Sequence, residues 1–239
     1  MAPDRQLFHA SELCDLLEAE FERSKSAVVS ALQERYLKKQ FPFLGIRAPE
    51  RRRIQRKVFE MCLSPENEAE LESAIQNLWL KPEREYHYAA LDFAIKYRSL
   101  FTKLEFFRSL LLSDKAGWDV VDIIAPKLIG HVARVRRHLL REVDAWALAG
   151  RQLWLVRAAL LCQLDWRVET DSRRLFAYCH RWLFEKEKFV QTAIVWALRQ
   201  LSKSRADLVA DFRRKRLQYM SRYVARETGR FPKMAKQQG

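Results

Sequence analysis

Trp118-Asp119-Val120-Val121-Asp122 lies on one register with three other stretches of the chain. These are Glu85-Tyr86-His87-Tyr88-Ala89, Trp154-Leu155-Val156-Arg157-Ala158 and Phe189-Val190-Gln191-Thr192-Ala193. Their starts are 33, 36 and 35 residues apart. A fifth start is marked by Pro49-Glu50-Arg51, which returns 33 residues later as Pro82-Glu83-Arg84. Repeats of this length, apolar at helical spacing and poor in glycine, predict stacked helix pairs. The expected fold is all-α, a curved solenoid whose concave face takes the same helix position from every repeat.

The register separates two kinds of row. Counting the first residue of each stretch as offset 0, offset 5 reads Ala90, Ile123, Ala159 and Ile194, and offset 6 reads Leu91, Ile124, Leu160 and Val195. Uniformly apolar rows predict the buried seam. Offsets 0, 3, 4 and 7 share another stripe of the same helix. That stripe is mixed, with Trp118, Trp154 and Phe189 at 0, Arg157 at 3, Asp122 at 4 and Trp196 at 7. Large aromatics at helical spacing are commonly core residues. Asp122 and Arg157 among apolar neighbours are harder to read that way, because charges are rarely buried unpaired. The stripe therefore reads as a site assembled from several helices.

Composition narrows the class. The 239 residues suffice for one substantial core, and 6 Gly and 7 Pro are too few for a turn-rich β protein. No apolar run is long enough to span a bilayer. The start, Met1-Ala2-Pro3-Asp4-Arg5-Gln6, lacks the regions of a secretory signal. Cys14, Cys62, Cys162 and Cys179 stand singly, and the five histidines have no paired spacing. No metal or other cofactor is expected, and the expected compartment is the reducing cytoplasm, beside the nucleoid in a prokaryote.

A formal net charge of +14 favours a polyanionic partner, nucleic acid before an anionic membrane surface. Lys81, Arg84, Lys115, Arg151, Lys186 and Lys188 all fall just before the expected starts of the repeat helices. Free backbone N–H groups there suit phosphates. Arg51, Arg52, Arg53, Arg56 and Lys57 open an earlier helix. A generally basic solvated surface is the blander reading of the same counts. No zinc finger, helix-turn-helix or RNP motif is present.

Ser11 to Lys39 reads as one or two amphipathic helices, and Phe41-Pro42-Phe43-Leu44-Gly45 as a break. Helix pairs follow to about Leu201, and Asp207 to Tyr223 reads as a last basic helix with Arg213-Arg214-Lys215-Arg216. No interdomain linker is visible. The expectation is one domain over residues 1–225 and a basic tail over 226–239.

These residues resemble a family. Phe43-Leu44-Gly45-Ile46 followed by Pro49-Glu50-Arg51-Arg52, then Leu78-Trp79 with Pro82-Glu83-Arg84-Glu85, the Trp118–Asp122 block, Trp154-Leu155-Val156-Arg157-Ala158-Ala159, and Phe189-Val190-Gln191 through Trp196-Ala197-Leu198-Arg199 are similar to the AlkD-like DNA glycosylases. These are the HEAT-like-repeat DNA alkylation repair enzymes. The resemblance runs from about Leu32 to Tyr223 in the same order and spacing. It implies antiparallel HEAT-like helix pairs that grip duplex DNA in a concave face and excise cationic alkylated purines without flipping them. The family's catalytic aspartate matches Asp122 and its site tryptophans match Trp118 and Trp196. Its arginine that contacts the DNA backbone matches Arg157. Tyr36 matches a site tyrosine and Phe189 a site aromatic. With the basic residues Arg51, Arg84, Lys188 and Arg199, these form the expected DNA-binding set. The sequence departs from the family pattern at Gly117 and Lys188, where a family member carries tryptophan and phenylalanine.

The residue types suit that chemistry. N3- or N7-alkylation makes a purine cationic and a good leaving group, and cleavage then develops positive charge on the deoxyribose. A carboxylate beside the sugar stabilises that charge and orients or deprotonates water. Indole faces add roughly 0.5–2 kcal/mol each when desolvated. Two other classes fit part of the sequence. A non-catalytic repeat protein that binds duplex or damaged DNA would share the charge and the repeats without needing Asp122. A helical scaffold for proteins or acidic peptides would carry a charged or amide-rich groove. A monomer that acts on alkylated duplex DNA, with no membrane and no obligate protein partner, is the expectation.

Overall fold

The computed structural model describes residues 8–150 and 152–231. Every regular element among them is helical. The chain forms two compact units, Met1–Thr102 and Lys103–Gly239. No glycine or proline marks the boundary, which falls in Arg98-Ser99-Leu100-Phe101-Thr102-Lys103.

The first unit holds α1 (Ala10–Arg23), α2 (Ala27–Tyr36), α3 (Ala48–Met61), α4 (Glu68–Leu80) and α5 (Arg84–Lys96). Local chemistry sets the starts. The Ser26 hydroxyl accepts from Val29 N–H to open α2. Pro49 occupies the first turn of α3, where its missing N–H costs nothing. Asn67 accepts from Glu70 N–H at 3.0 Å while the Glu70 carboxylate accepts from Glu66 N–H, a reciprocal cap for α4. Three residues join α4 to α5 and the two helices pack together, so they run antiparallel. Leu13, Leu17, Phe21, Leu71, Ile75, Leu78 and Phe93 form the dry centre.

The break at Phe41–Gly45 has a structural cause. The Glu85 carboxylate, 1% exposed, accepts from the N–H groups of Leu44, Gly45 and Ile46 at 2.9–3.0 Å. Gly45 has φ +88°, and a Cβ there would lie 2.0 Å from the Ser26 carbonyl oxygen. Only glycine accepts both the left-handed backbone and the close approach.

The second unit holds α6 (Glu105–Leu112), α7 (Trp118–Ile123), α8 (Gly130–Val135), α9 (Leu140–Ala147), α10 (Leu153–Leu161), α11 (Ser172–Arg181), α12 (Lys188–Ser202), α13 (Ala206–Arg216) and α14 (Arg222–Gly229). The four registered stretches fall at the starts of α5, α7, α10 and α12, so the repeat is a repeat of helix starts. The offset 5 and 6 residues are buried as the register requires, except for the half-buried Ile123. On α12 alone Val190, Ile194, Val195, Leu198 and Leu201 are buried, each contributing about 1.5–3 kcal/mol by removal from water. α10 packs against α7, α9 and α12.

Between α7 and α8 the helix widens into a π segment, Ile124–Ile129. Pro126 lies inside it. Proline offers no N–H to the carbonyl four residues back, which is that of Asp122, and its ring clashes there in an α-helix. A wider turn relieves that clash, and such turns occur often at functional positions. Gly130 follows because a Cβ there would meet the Cys162 carbonyl at 2.0 Å.

The C-terminal region differs from the sequence expectation. Asp207 to Tyr223 is not one helix. α13 ends at Arg216, Leu217–Tyr219 is a 3-10 turn, and Ser221 starts α14 by accepting from Val224 N–H. The residues placed in a basic tail from Arg226 onward begin inside α14, held by buried Val224 and Thr228, and α14 packs on α12. Residues 232–239 of that tail, and Arg151, lie outside the described residues. Among those described, no helix is long and apolar enough to cross a membrane.

Candidate active site

α7, α10 and α12 bring the mixed stripe together in the second unit. Trp118 and Asp122 are four residues apart on α7 and so share one face. Neither is fully buried, and the Asp122 side chain is 17% exposed. Arg157, in the middle of α10, is 4% exposed and turns toward it. Its Nε donates to Asp122 Oδ1 at 2.8 Å and its Nη2 to Oδ2 at 2.9 Å. Its Nη1 donates to the Phe189 carbonyl at 2.5 Å and to Thr192 Oγ1 at 3.1 Å. One guanidinium therefore ties α7 to α12 across α10.

The aromatics extend the stripe. Trp154 packs on Phe189 with ring centroids 5.2 Å apart, and the Arg157 guanidinium lies 5.9 Å from the Phe189 centroid. Trp196, one turn beyond Thr192 on α12, is 41% exposed, unusually open for an indole.

The electrostatics are asymmetric. Burial pushes the Asp122 carboxyl above the ordinary aspartate range, the hydrogen bonds and charge of Arg157 oppose this, and nearby Asp119 adds to the rise. A bidentate fork fixes the plane of a carboxylate. An ionised carboxyl has about four lone-pair positions, so the fork leaves others for a water or a developing cation. The arrangement is a fixed carboxylate with one partly open side.

The profile of the family described as DNA alkylation repair enzyme matches residues 17–230. The chain belongs to the DNA alkylation repair enzyme family. A solved structure entitled "Predicted DNA alkylation repair enzyme from Enterococcus faecalis" is similar to it, with 28% sequence identity and a TM-score of 0.79. The similarity covers 89% of this chain and 98% of that one. No curated protein matches the chain significantly.

In this alkylation repair protein, three arginines of the expected DNA-binding set are buried. Arg157 is held in the Asp122 fork and bonded to α12. Arg84 is 0% exposed, with its guanidinium 3.8 Å from the Phe41 ring centroid and Nη1 3.1 Å from His87 Nδ1. His87 Nε2 meets the Lys81 carbonyl at 2.9 Å, so Nε2 carries the proton and Nδ1 accepts from the arginine. Arg51 is 6% exposed, 4.7 Å from the Tyr88 ring centroid and 3.5 Å from Asp92 Oδ2. Burial pulls the Arg51 pKa below the usual arginine range, and Asp92 counters this. Both arginines turn inward because their long stems let the flat guanidinium lie over a half-buried ring.

Other candidates are open. Tyr36 is exposed at the end of α2 and lines a groove of about 360 Å³ with Val29, Leu32, Phe43, Arg47 and Tyr88. Lys188 is exposed in the first turn of α12, next to Phe189. The Arg199 side chain is about half exposed and continues the α12 stripe past Trp196. Thr192, which supports Arg157, was not singled out in the sequence. Its polar offset 3 position, shared with Arg157, was the available signal.

Proposed function

We propose that this protein is a DNA glycosylase that hydrolyses the N-glycosidic bond of N3- or N7-alkylated, cationic purines in duplex DNA. The observation that carries the reading is the Asp122 carboxylate held edge-on in the Arg157 fork, with Trp118 on the same helix face. Trp196 stands on the helix to which that fork is tied.

In this reading the sugar rather than the base is recognised. As the bond breaks, its electron pair leaves with the purine, which becomes neutral, and positive charge develops at the anomeric carbon. Asp122 faces that charge from its open edge and orients the water that attacks it. The proton shed by that water passes to Asp122 and then to solvent. Trp118 and Trp196 lay electron-rich faces against the same cation. Arg157 acts through Asp122 as a positioning residue. Excision then needs no cofactor and no flipping of the base, and the protein acts as a monomer in base excision repair. Basic side chains such as Lys188 and Arg199 hold the duplex.

Incubation of the pure protein with methylated duplex DNA should release 7-methylguanine and 3-methyladenine. Asp122→Asn should lose nearly all release while retaining DNA binding. Release by Asp122→Asn at the wild-type rate would overturn the assignment, and binding without release by the wild type would favour a non-catalytic damage-binding protein.

A further inference from the structure

α14 brings more guanidinium groups to the end of the α12 stripe than the fold uses. Glu227 lies with its side chain 12% exposed, facing α12. Three arginines converge on it. Arg226 Nε donates to Oε1 at 2.9 Å, Arg230 Nη1 to the same oxygen at 3.1 Å, and Arg199 Nη2 lies 3.7 Å from Oε2. Their own side chains stay 62%, 66% and 52% exposed. Arg226 stands over the Tyr223 ring and Arg199 over the Phe231 ring.

A fourth guanidinium meets α14 at Gly229, the residue before Arg230. Arg213 reaches from α13 to Gly229, where an added Cβ would lie 3.3 Å from its Nη2. A cavity of about 150 Å³ opens there, lined by Ser202, Arg213, Thr228, Gly229 and Phe231 among others. Arg213 Nε is buried and has no hydrogen-bond acceptor. Leaving such a donor unsatisfied is unfavourable.

One carboxylate needs one arginine. Exposed ion pairs stabilise a fold by at most about 1 kcal/mol, so stability does not account for three arginines at one acid. The surplus positive charge, preset by ring stacking and by Glu227, matches an oxyanion. We propose that the junction of α12, α13 and α14 is a binding site for a backbone phosphate of duplex DNA. Arg199, Arg226 and Arg230 would grip the phosphate, and Arg213 would complete the site. Glu227 would hold the arginines in place until the phosphate displaces it. Arg199 stands three residues beyond Trp196, about 4.5 Å along the helix axis, so the phosphate would lie close to the lesion. The inference rests on the proposed glycosylase reading only in taking this face as the one that meets DNA.

Undamaged labelled duplex tests it, because no excision enters the measurement. Binding of the full chain would be titrated over a range of NaCl concentrations. Arg226→Gln/Arg230→Gln should weaken binding about 5- to 10-fold at moderate salt and lower the log–log salt slope by about 1. Arg214→Gln, an exposed arginine elsewhere on α13, should leave the slope at the wild-type value. Glu227→Gln keeps all four arginines and should bind about 3- to 10-fold tighter, by loss of a competing charge. A double variant indistinguishable from Arg214→Gln, or weaker binding by Glu227→Gln, would overturn the site. Base release by the wild type is scored separately, so failure of this site and failure of the glycosylase reading are distinguishable.

Discussion

The Arg157 guanidinium holds both oxygens of the Asp122 carboxylate, at 2.8 and 2.9 Å, from a position almost entirely out of water. Burial raises the Asp122 pKa and Arg157 opposes the rise. The sign follows from that. In the proposed mechanism the acting form is the ionised one, so activity should be full above the folded-state pKa and fall as pH drops through it. The acid limb of single-turnover base release should therefore lie above the ordinary aspartate value of about 3.9. The same raised pKa means that ionised Asp122 weakens the folded state at neutral pH, and that this penalty disappears as pH falls through the folded pKa. Arg157→Gln removes the opposing contribution, so the acid limb should move to higher pH. The variant should also lose about 3 kcal/mol of stability, as expected when one member of a buried pair is removed. An unchanged limb in an active, folded variant would refute the positioning role. Arg157→Lys keeps the charge without the fork and should recover the melting temperature more than the rate.

In the first unit the decisive contact is between Glu85 and the loop around Gly45. Gly45→Ala forces a Cβ into the Ser26 carbonyl and sets a side chain at φ +88°, so it should cost more than about 2 kcal/mol. Glu85→Ala strands three buried N–H groups and should cost about 3 kcal/mol or more. Thermal melts of the two variants read both values. A loss below about 0.5 kcal/mol for either would show that the loop relaxes freely.

Much of this was legible in the sequence, and the misses share a cause. The 33- to 36-residue register located the starts of α5, α7, α10 and α12 because each start must bury the same seam. Asp122 and Arg157 stand out as charges in apolar runs, and charges so placed are rarely buried unpaired. Their pairing with each other was not legible, because it depends on α7, α10 and α12 meeting in space. The basic residues at helix starts were read as phosphate ligands from charge and position alone. The structure leaves Lys188 exposed and buries Arg84 and Arg51, because sequence does not show that Phe41 and Tyr88 offer those two arginines rings to lie over. The π segment was missed although Pro126 marks it. The break after Arg216 was missed because Leu217-Gln218-Tyr219 contains no residue that ends a helix.

Burial divides the basic residues into two groups with different phenotypes. DNA binding should be strongly salt-dependent and nearly indifferent to sequence. Lys188→Ala should lower the log–log salt slope by about 1, since an exposed lysine in a first helical turn neutralises one phosphate. Arg84→Ala should leave the slope alone and instead cost about 2–3 kcal/mol, because it empties a fully buried site and removes the guanidinium beside His87 Nδ1. A flat salt response by the wild type, or a changed slope in folded Arg84→Ala, would refute this division.

Substrate range follows from what the site can and cannot donate. A neutral base such as uracil or hypoxanthine leaves poorly unless it is protonated or polarised. In the proposed mechanism Asp122 serves as an anion, and the group bound to it is the Arg157 guanidinium. The two tryptophans would stabilise positive charge in that mechanism, and indole supplies no acid. A cationic alkylpurine brings its own leaving ability, so the site has only to favour charge on the sugar. The wild type should release 7-methylguanine and 3-methyladenine from duplex DNA and leave uracil and hypoxanthine in place. Some bulk on the alkyl group should be tolerated, since the sugar rather than the base is held. Released bases can be counted by chromatography after incubation with each duplex. Efficient uracil release by the pure protein that vanishes in Asp122→Asn would overturn this mechanism, because it would require an acid that the site does not provide.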